Sequence, residues 1–245
     1  NAFGLKTEKL YEILDLIAYY FPECEGINMD ATVTSILHKS QEELEMLARK
    51  KVKHLYLGIE SGLDDVLKFM KKDHDLAQAY QAIDRLHEAG LIYDAHIMTG
   101  VAGKGRGMEN AEALAQFLNR TNPAHVVNFS MFLHKEVPLY QDIRQGTFVP
   151  ADELETIREE YHLIERIAPE KAGANILYDG FHDFIHVRVR GHLPGDKEKM
   201  LAKLNGIIQE YEGKEPVYSF VQGECPDLEY CDDGKAVWDM DRKTS

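Results

Sequence analysis

The sequence has no long apolar run and few cysteines. No segment approaches the about 20 consecutive apolar residues that a membrane-spanning helix needs, and the first residues lack the pattern of a secretory signal. The three cysteines, Cys24, Cys225 and Cys231, are too few and too scattered for a disulfide framework. We therefore expect reduced thiols, no membrane contact and a cytoplasmic location.

Positive charge is also scarce. The chain has 28 Lys and Arg against 42 Asp and Glu, and its formal net charge is -14. A nucleic-acid backbone or an anionic membrane would repel such a chain unless a local basic patch overrides the field. The charge therefore disfavours nucleic acid and favours a small molecule or a protein as the partner. The hydrophobic content of 44% is enough to build one large core.

The stretch from His54 to Gly62 gives the central strand signal. In its sequence, HLYLGIESG, apolar residues alternate with tyrosine, glycine and glutamate, which is typical of a strand. Glu60 lies at the carboxyl end of this strand. In α/β folds, ligand sites lie at that edge of the sheet.

Strands and helices alternate over the first two thirds of the chain. Further strands are predicted over residues 26–31, 91–99 and 125–132, and amphipathic helices lie before, between and after the strands. This alternation requires parallel strands joined by helical crossovers. We predict an α/β fold with a partial (β/α) barrel of parallel strands over residues 1–168. A small α+β extension is predicted over residues 169–245.

Capping residues and one further strand complete the prediction. Asp75 and the Ser40 to Glu43 capping box are expected to begin helices, as are Thr7 and Asp196. In the extension, the alternation from Phe184 to Arg190 predicts a strand. That strand would carry Ile185, Val187 and Val189 on one face, and His186, Arg188 and Arg190 on the other.

Polar residues lie on the predicted strands or at their carboxyl ends. If the strands are parallel and adjacent, several of these side chains are expected to converge at one edge of the sheet. Each of them could also point outward or solvate a strand end. The residues are Asp30, Glu60, His96, Thr99, Asn128 and Ser130.

Two other groups of residues have competing interpretations. The glycine-rich loop from Gly100 to Gly107 carries Lys104 and Arg106 and would suit an anion, but it matches neither phosphate-loop pattern and is at least as typical of a mobile surface loop.

Three histidines lie around the last predicted strand. Their spacing favours a solvated basic face over a metal site, and no metal ligand is predicted. They are His182, His186 and His192.

Three segments together resemble the radical SAM superfamily, specifically its iron–sulfur oxidoreductase branch. LYLGIESGLDDVLKFMKKDH, followed by a helix ending in HEAGL, is similar to the fourth strand and helix of that family. IMTGVAGKGRG resembles the fifth strand and loop, and VPLYQDIRQGTF resembles the stretch after the sixth strand. The resemblance extends from about residue 2 to residue 167. The sequence also resembles oxygen-independent coproporphyrinogen oxidases and the methylthiolase and elongator-type domains of this branch.

The resemblance implies a site for S-adenosylmethionine (SAM). Asp30 and Glu60 match positions that contact its methionine or ribose part, and the backbone of Met98, Gly100 and Val101 matches the place where the adenine packs. Lys72 stands where relatives often carry an arginine for the SAM carboxylate. Lysine keeps the charge but loses the bidentate fork. Strand-end residues surround SAM in this family, which adds Asn128 and Ser130 to the expected contacts.

The sequence departs from the family in lacking the CxxxCxxC loop that holds a [4Fe-4S] cluster. It also begins with Asn1 rather than methionine, so we expect a piece of a longer protein. The resemblance then implies a radical SAM oxidoreductase as the parent, with SAM and a [4Fe-4S] cluster as cofactors and an electron donor protein as partner. Without the cluster, the fragment itself is expected to be inactive.

Two alternatives to a radical SAM enzyme remain open on the sequence. One is a barrel enzyme of another chemistry that binds a phosphorylated ligand at the Gly100 to Gly107 loop. The other is a non-catalytic docking module that presents His186, Arg188 and Arg190 together with the acidic tail.

Overall fold

The structure is a computed structural model and describes residues 2–220. Cys225, Cys231 and the acidic tail beyond residue 220 lie outside the described residues. Among residues 2–220, no helix has both the length and the apolar composition needed to cross a bilayer.

Strands and helices alternate as the sequence predicts. The strands are β1 (Ile27–Ala31), β2 (Val52–Glu60), β3 (Ile92–Thr99), β4 (His125–Ser130), β5 (Ile176–His182) and β6 (Val187–Leu193). The helices are α1 (Thr7–Tyr20), α2 (Val33–Leu37), α3 (Gln41–Arg49), α4 (Asp64–Phe69), α5 (Leu76–Glu88), α6 (Gly107–Thr121), α7 (Leu139–Arg144), α8 (Glu153–Arg166) and α9 (Lys197–Tyr211). Single 3-10 turns cover Ala2–Gly4 and Asp183–Ile185.

All six strands form one sheet in the order β1-β2-β3-β4-β5-β6. Strands β1 to β5 are parallel, and β6 runs antiparallel to β5. Within the described residues β1 and β6 do not pair with each other, so the sheet is not closed. The α/β class and the partial barrel are thus confirmed. The sheet continues past residue 168 through β5 and β6, and a domain boundary at that residue stays a prediction.

Helices pack against one face of the sheet, and the other face is more exposed. On β2, Leu55, Leu57 and Ile59 are fully buried and belong to the core that the helices pack against. We call this side the helix face. The alternate residues point to the other side, which we call the open face because its side chains on β1, β2 and β3 are mostly exposed or half-buried. From β1 to β6 the open face includes Asn28, Asp30, Tyr56, Gly58, His96, Phe129, Phe181 and Arg188.

Local sequence signals explain most element boundaries. Ser40 begins α3 with the expected capping box, and Asp75 begins α5 by accepting a bond from the Gln78 amide at 2.8 Å. The prediction is wrong for Thr7, whereas Asp196 is at the N-cap of α9 as predicted but makes no side-chain capping bond there. Lys6 is at the N-cap of α1, while Thr7 is buried and accepts a bond from Lys39 Nζ at 3.3 Å. Asp196 precedes α9, but its carboxylate accepts the backbone N–H of His192.

The predicted strand from Phe184 to Arg190 is wrong in its first half. Asp183–Ile185 forms a 3-10 turn, and His186 has a left-handed backbone (φ 53°), so the strand begins at Val187. Within β6, Val189 is buried whereas Arg188 and Arg190 are exposed, as the alternation predicts. Strand β5 was missed by the sequence prediction.

Candidate functional site

The carboxyl end of β2 places an ion pair over the open face. A bulge between Gly58 and Glu60 interrupts the pairing with β3, and Glu60 has a left-handed backbone with φ 63°. Lys72 Nζ donates to Glu60 Oε1 at 3.1 Å, and both side chains are about three-quarters buried. A Cβ on Gly58 would lie 2.7 Å from that same oxygen, so glycine leaves the room that this pair needs.

Aromatic side chains extend across the open face from β2 to β5. The ring centroids of Tyr56 and His96 are 5.2 Å apart, and those of His96 and Phe129 are 5.9 Å apart. Phe129 stacks on Phe181 at 5.8 Å, and the Arg188 guanidinium lies 4.7 Å over the Phe181 ring. The open face thus offers planar apolar surface below a carboxylate and an ammonium group.

A histidine and an aspartate meet nearer the amino ends of the strands. His54 Nδ1 lies 2.7 Å from Asp94 Oδ2, and the Asp94 side chain is fully buried. Burial raises the pKa of Asp94, while the bond with His54 opposes that shift. Both residues lie inside strands rather than at their carboxyl ends, so the strand-end pattern does not point to this pair.

Asn128 and Ser130 do not join Asp30 and Glu60. Both side chains lie on the helix face, since they alternate with Phe129, and both are buried. Asn128 Oδ1 accepts the backbone N–H of Thr99 at 3.1 Å, and the Thr99 side chain is buried on the same side. The expected convergence is wrong for Thr99, Asn128 and Ser130 because adjacent positions of a strand point to opposite faces. Contact of Asn128 and Ser130 with a cofactor stays a prediction.

The remaining predicted residues lie at the carboxyl edge or on the open face. Asp30 is exposed and pairs in register with Tyr56, and His96 lies on the same face of β3. Met98 is half-buried, whereas Gly100 and Val101 are buried in the turn that follows β3. Their contact with a cofactor stays a prediction, together with that of Glu60 and Lys72.

His182 lies at the centre of a buried polar network rather than on a solvated face. Its Nδ1 is 2.9 Å from Glu153 and its Nε2 is 3.0 Å from Glu160, and all three side chains are buried. Burial alone would lower the pKa of His182, but the bonds to the two carboxylates outweigh it and raise this pKa to about 10. The histidine is therefore cationic at neutral pH.

Glu159, on the same helix, belongs to a second set of buried hydrogen bonds that reaches the turns at the carboxyl edge. Glu159 accepts the backbone N–H of Gly100 at 2.8 Å and the Asn110 side-chain amide at 2.7 Å. Asn110 in turn accepts the hydroxyl of Ser61 at 2.6 Å and the backbone N–H of Gly62 at 3.2 Å. Burial raises the pKa of Glu159 to about 8.

The sequence contained a signal for the buried network around His182. Glu153, Ile157, Glu160 and Ile164 recur at the spacing of one helix face, so two carboxylates share the buried side of α8 with two isoleucines. Carboxylates at buried positions of an amphipathic helix need a partner in the core. The partner, His182, could not be identified without strand β5.

The glycine-rich loop has few free donors for an anion. The amides of Gly100, Gly103, Lys104, Gly105 and Arg106 are all bonded within the protein, two of them to glutamates of α8. The Arg106 guanidinium donates to Asp65 at 2.7 Å and to Glu109 at 2.9 Å. A cleft of about 350 Å³ lies beside the loop, walled by Val66, Phe69, Val101 and Phe148.

The basic face predicted on the last strand is divided. Arg188 donates twice to Asp179, at 2.8 and 2.6 Å, and Arg190 lies 3.6 Å from the same carboxylate. His186 lies in the turn before the strand and does not share that face. Asp179 thus neutralises part of the positive charge that the docking hypothesis requires.

The residues fit SAM and a cluster to different extents. A carboxylate and an ammonium over a Cβ-free strand position match the hydroxyl, ammonium and carboxylate groups of SAM. For a [4Fe-4S] cluster, the described residues include one cysteine, Cys24, and no group of three His, Cys, Asp or Glu side chains placed to hold a metal. The described part of the chain therefore does not fit the cluster.

Comparison with known proteins identifies the fold and the family segment. Residues 4–118 match the model of the radical SAM superfamily. A tRNA uridine(34) acetyltransferase of Methanocaldococcus infernus is 25% identical over 119 residues, which cover 48% of this chain and 22% of that protein. The Elp3 structure from Methanocaldococcus infernus, with residues 1–46 deleted, has a TM-score of 0.56 at 17% identity, over 76% of this chain and 42% of Elp3. Methylornithine synthase (PylB) has a TM-score of 0.50 at 15% identity, over 97% of this chain and 59% of that chain.

The match to the model of the radical SAM superfamily covers residues 4–118, a little under half of the chain. The two structures share its fold, which confirms the partial barrel. Enzymes of this superfamily use SAM and a [4Fe-4S] cluster. The chain spans about a fifth of the curated relative and about half of each solved structure.

Proposed function

We propose that this chain is the SAM-binding part of a radical SAM enzyme. The Glu60 and Lys72 ion pair over Gly58, inside the segment matched to the superfamily, is the observation that carries the proposal. The buried turn at Gly100 lies at the same edge of the sheet, one strand away. The pair and the turn thus lie at the carboxyl ends of two neighbouring parallel strands.

Each residue has a role that follows from its chemistry. The Glu60 carboxylate accepts hydrogen bonds from ribose hydroxyls or from the ammonium group of the methionine part. Lys72 pairs with the methionine carboxylate as a point charge. The backbone near Met98 and Gly100 provides a flat surface for the adenine, and Asp30 adds a second acceptor from β1.

In the complete enzyme, a bound [4Fe-4S] cluster would supply the one electron for reductive cleavage of the SAM sulfonium, which gives methionine and a 5'-deoxyadenosyl radical. The residues of this chain bind and orient SAM. We place the cluster ligands outside residues 2–220 and infer an electron donor protein as the partner of the whole enzyme. The isolated chain then binds SAM without cleaving it.

Isothermal titration of residues 1–245 with SAM tests this proposal. Wild type is expected to bind, and Glu60→Gln and Lys72→Ala are each expected to weaken binding about tenfold, because each removes one charged bond of about 1.5 kcal/mol. Lys68→Ala is the matched control, since Lys68 is exposed on neighbouring α4. Wild type that shows no heat with SAM, or equal weakening by Lys68→Ala, contradicts the proposal.

A phosphorylated ligand at the loop beside the 350 Å³ cleft is the second candidate function. The cleft has apolar walls, and Lys104 lies at its rim. Titration with simple phosphate esters separates the two candidates. Saturable binding of a phosphate ester that Lys104→Ala abolishes, without any response to SAM, would favour the cleft.

A further inference from the structure

The two turns at the carboxyl edge are joined by a buried side-chain bridge. One turn follows β2 and contains Ser61 and Gly62, and the other follows β3 and contains Gly100. The Asn110 amide bonds to the first turn, and the Glu159 carboxylate bonds to the second. Asn110 Nδ2 and Glu159 Oε1, 2.7 Å apart, close the bridge.

The bridge lies away from any ligand on the open face. Asn110 and Glu159 come from α6 and α8, and each is at most 1% exposed. Ser61 is fully buried as well. The two bridging side chains therefore act on a ligand through the turns and not by contact.

The surrounding backbone leaves this bridge little freedom. A Cβ on Gly62 would overlap the backbone of α6 at Leu114, and a Cβ on Gly107 would lie 2.9 Å from Glu159 Oε2. The first turn thus packs closely against the backbone of α6, and the first residue of α6 packs closely against Glu159. A shift of Glu159 changes the position of both turns.

Placing the Glu159 carboxyl group in the core has a high free-energy cost. Transfer of a carboxyl group from water into the core costs several kcal/mol unless its bonds are satisfied, and apolar side chains of similar volume often serve stability as well or better. At this position a carboxyl or amide group can accept bonds from the Gly100 N–H and the Asn110 amide, whereas an apolar side chain cannot. The chemistry therefore favours positioning over simple packing.

We infer that Asn110 and Glu159 are positioning residues that set the spacing between the Glu60 turn and the Gly100 turn, and thereby the affinity of the open face for SAM. This inference rests on the proposed function for the identity of the ligand. The mechanical link between the turns does not depend on the ligand.

Amide hydrogen exchange of the whole chain, measured by NMR, tests the link itself. Glu159→Gln retains one acceptor and loses the other, so faster exchange is expected at Gly100, which it contacts, and also at Gly62, which it does not. Ser61→Ala is the reciprocal and milder variant, and it is expected to accelerate exchange at Gly100. Glu155→Gln is the control, because Glu155 bonds the Gly105 amide one turn earlier on α8. Changes confined to the directly bonded amide in each variant would overturn the link.

SAM titration of the same variants tests the consequence. Glu159→Gln is expected to raise the dissociation constant for SAM at least tenfold, and Glu155→Gln is expected to leave it within twofold. The double variant Ser61→Ala/Glu159→Gln is expected to be no weaker than Glu159→Gln alone, since both act through one bridge. Unchanged affinity in Glu159→Gln overturns the inference while wild-type binding still supports the proposed function. Wild type that fails to bind SAM refutes the proposed function, and coupled exchange would still support the bridge.

Discussion

At the scale of single residues, glycine permits the closest contacts of the helix face. Gly180 on β5 lies directly against the Glu160 carboxylate, so that any Cβ there would overlap Glu160 Oε1. That carboxylate also accepts the hydroxyl of Tyr178 at 2.9 Å. It is held from several sides and has little room to move.

Gly180→Ala is expected to destabilise the protein by about 2 kcal/mol or more, because overpacking in a filled core forces neighbours off their positions. Gly206 offers a matched control. It lies exposed within α9 with no atom near its Cβ position, so Gly206→Ala is expected to stabilise the protein by about 0.5–1 kcal/mol. Urea unfolding of both variants measures the two changes. A neutral Gly180→Ala would show that the carboxylate can move aside.

At the scale of elements, helix α8 presents three carboxylates to the core. Glu153 and Glu160 neutralise the His182 imidazolium, and Glu159 has a raised pKa. The helix is thereby joined to β5 by charged bonds as well as by apolar packing through Ile157 and Ile164.

This arrangement predicts loss of stability at alkaline pH. Both pKa values are raised in the folded state, so the folded protein holds protons that the unfolded chain releases. Stability is expected to fall as pH rises from 6.5 to about 10 through His182, and from 4.5 to about 8 through Glu159. Each group contributes at most about 1.4 kcal/mol per pH unit. Both effects coincide between pH 6.5 and 8.

Urea unfolding between pH 6.5 and 9 measures this loss. His182→Gln and Glu159→Gln should each flatten the pH dependence, even where they lower stability overall. His192→Gln is the control, since His192 is exposed on β6. A stability that rises over this range would contradict the assignment of a charged His182.

Sequence patterns predicted where strands and helices lie better than they predicted which face of the sheet each side chain points to. The runs at β2 and β3 alternate clearly, and capping residues located α3 and α5. Strand β5 was missed because ILYDGFH places Asp179 and His182 at buried positions, where partners from other elements neutralise them. The partners of Asp179 lie on β6 and those of His182 on α8, so the pattern within the strand itself cannot reveal them.

The candidate site was predictable only in part. The resemblance assigns Glu60 and Lys72 separately to the SAM site, but it implies neither their ion pair nor the bulge at Glu60. Asn128 and Ser130 are expected at the site because they lie on the fourth predicted strand near its carboxyl end, but both faces of β4 carry apolar residues. The alternation then cannot show which face the helices cover. Only the packing of α8 decides it.

At the scale of the whole molecule, one sheet unites the described chain. Strand β5 pairs with β4 across the predicted boundary at residue 168, and α8 packs on both α6 and α9. His182, on the far side of that boundary, neutralises carboxylates on the near side. Residues on both sides therefore share one core.

A chain cut after residue 168 is expected not to fold, which tests the predicted boundary. Removing His182 leaves buried carboxylates unpaired, at a cost of about 3–5 kcal/mol, and the loss of β5 and β6 removes further core. Near-ultraviolet circular dichroism of residues 1–168 should lack the signal of packed aromatic rings. A chain cut after residue 220 keeps all six strands and is the control. A cooperative unfolding transition in residues 1–168 would instead support two separate domains.

Strand β1 lies at the edge of the sheet and pairs with no strand but β2 within residues 2–220, and we expect such an edge to favour association with a second molecule. The formal net charge of -14 holds such molecules apart in dilute buffer. Added salt shortens the range of that repulsion. We therefore expect self-association to increase with ionic strength.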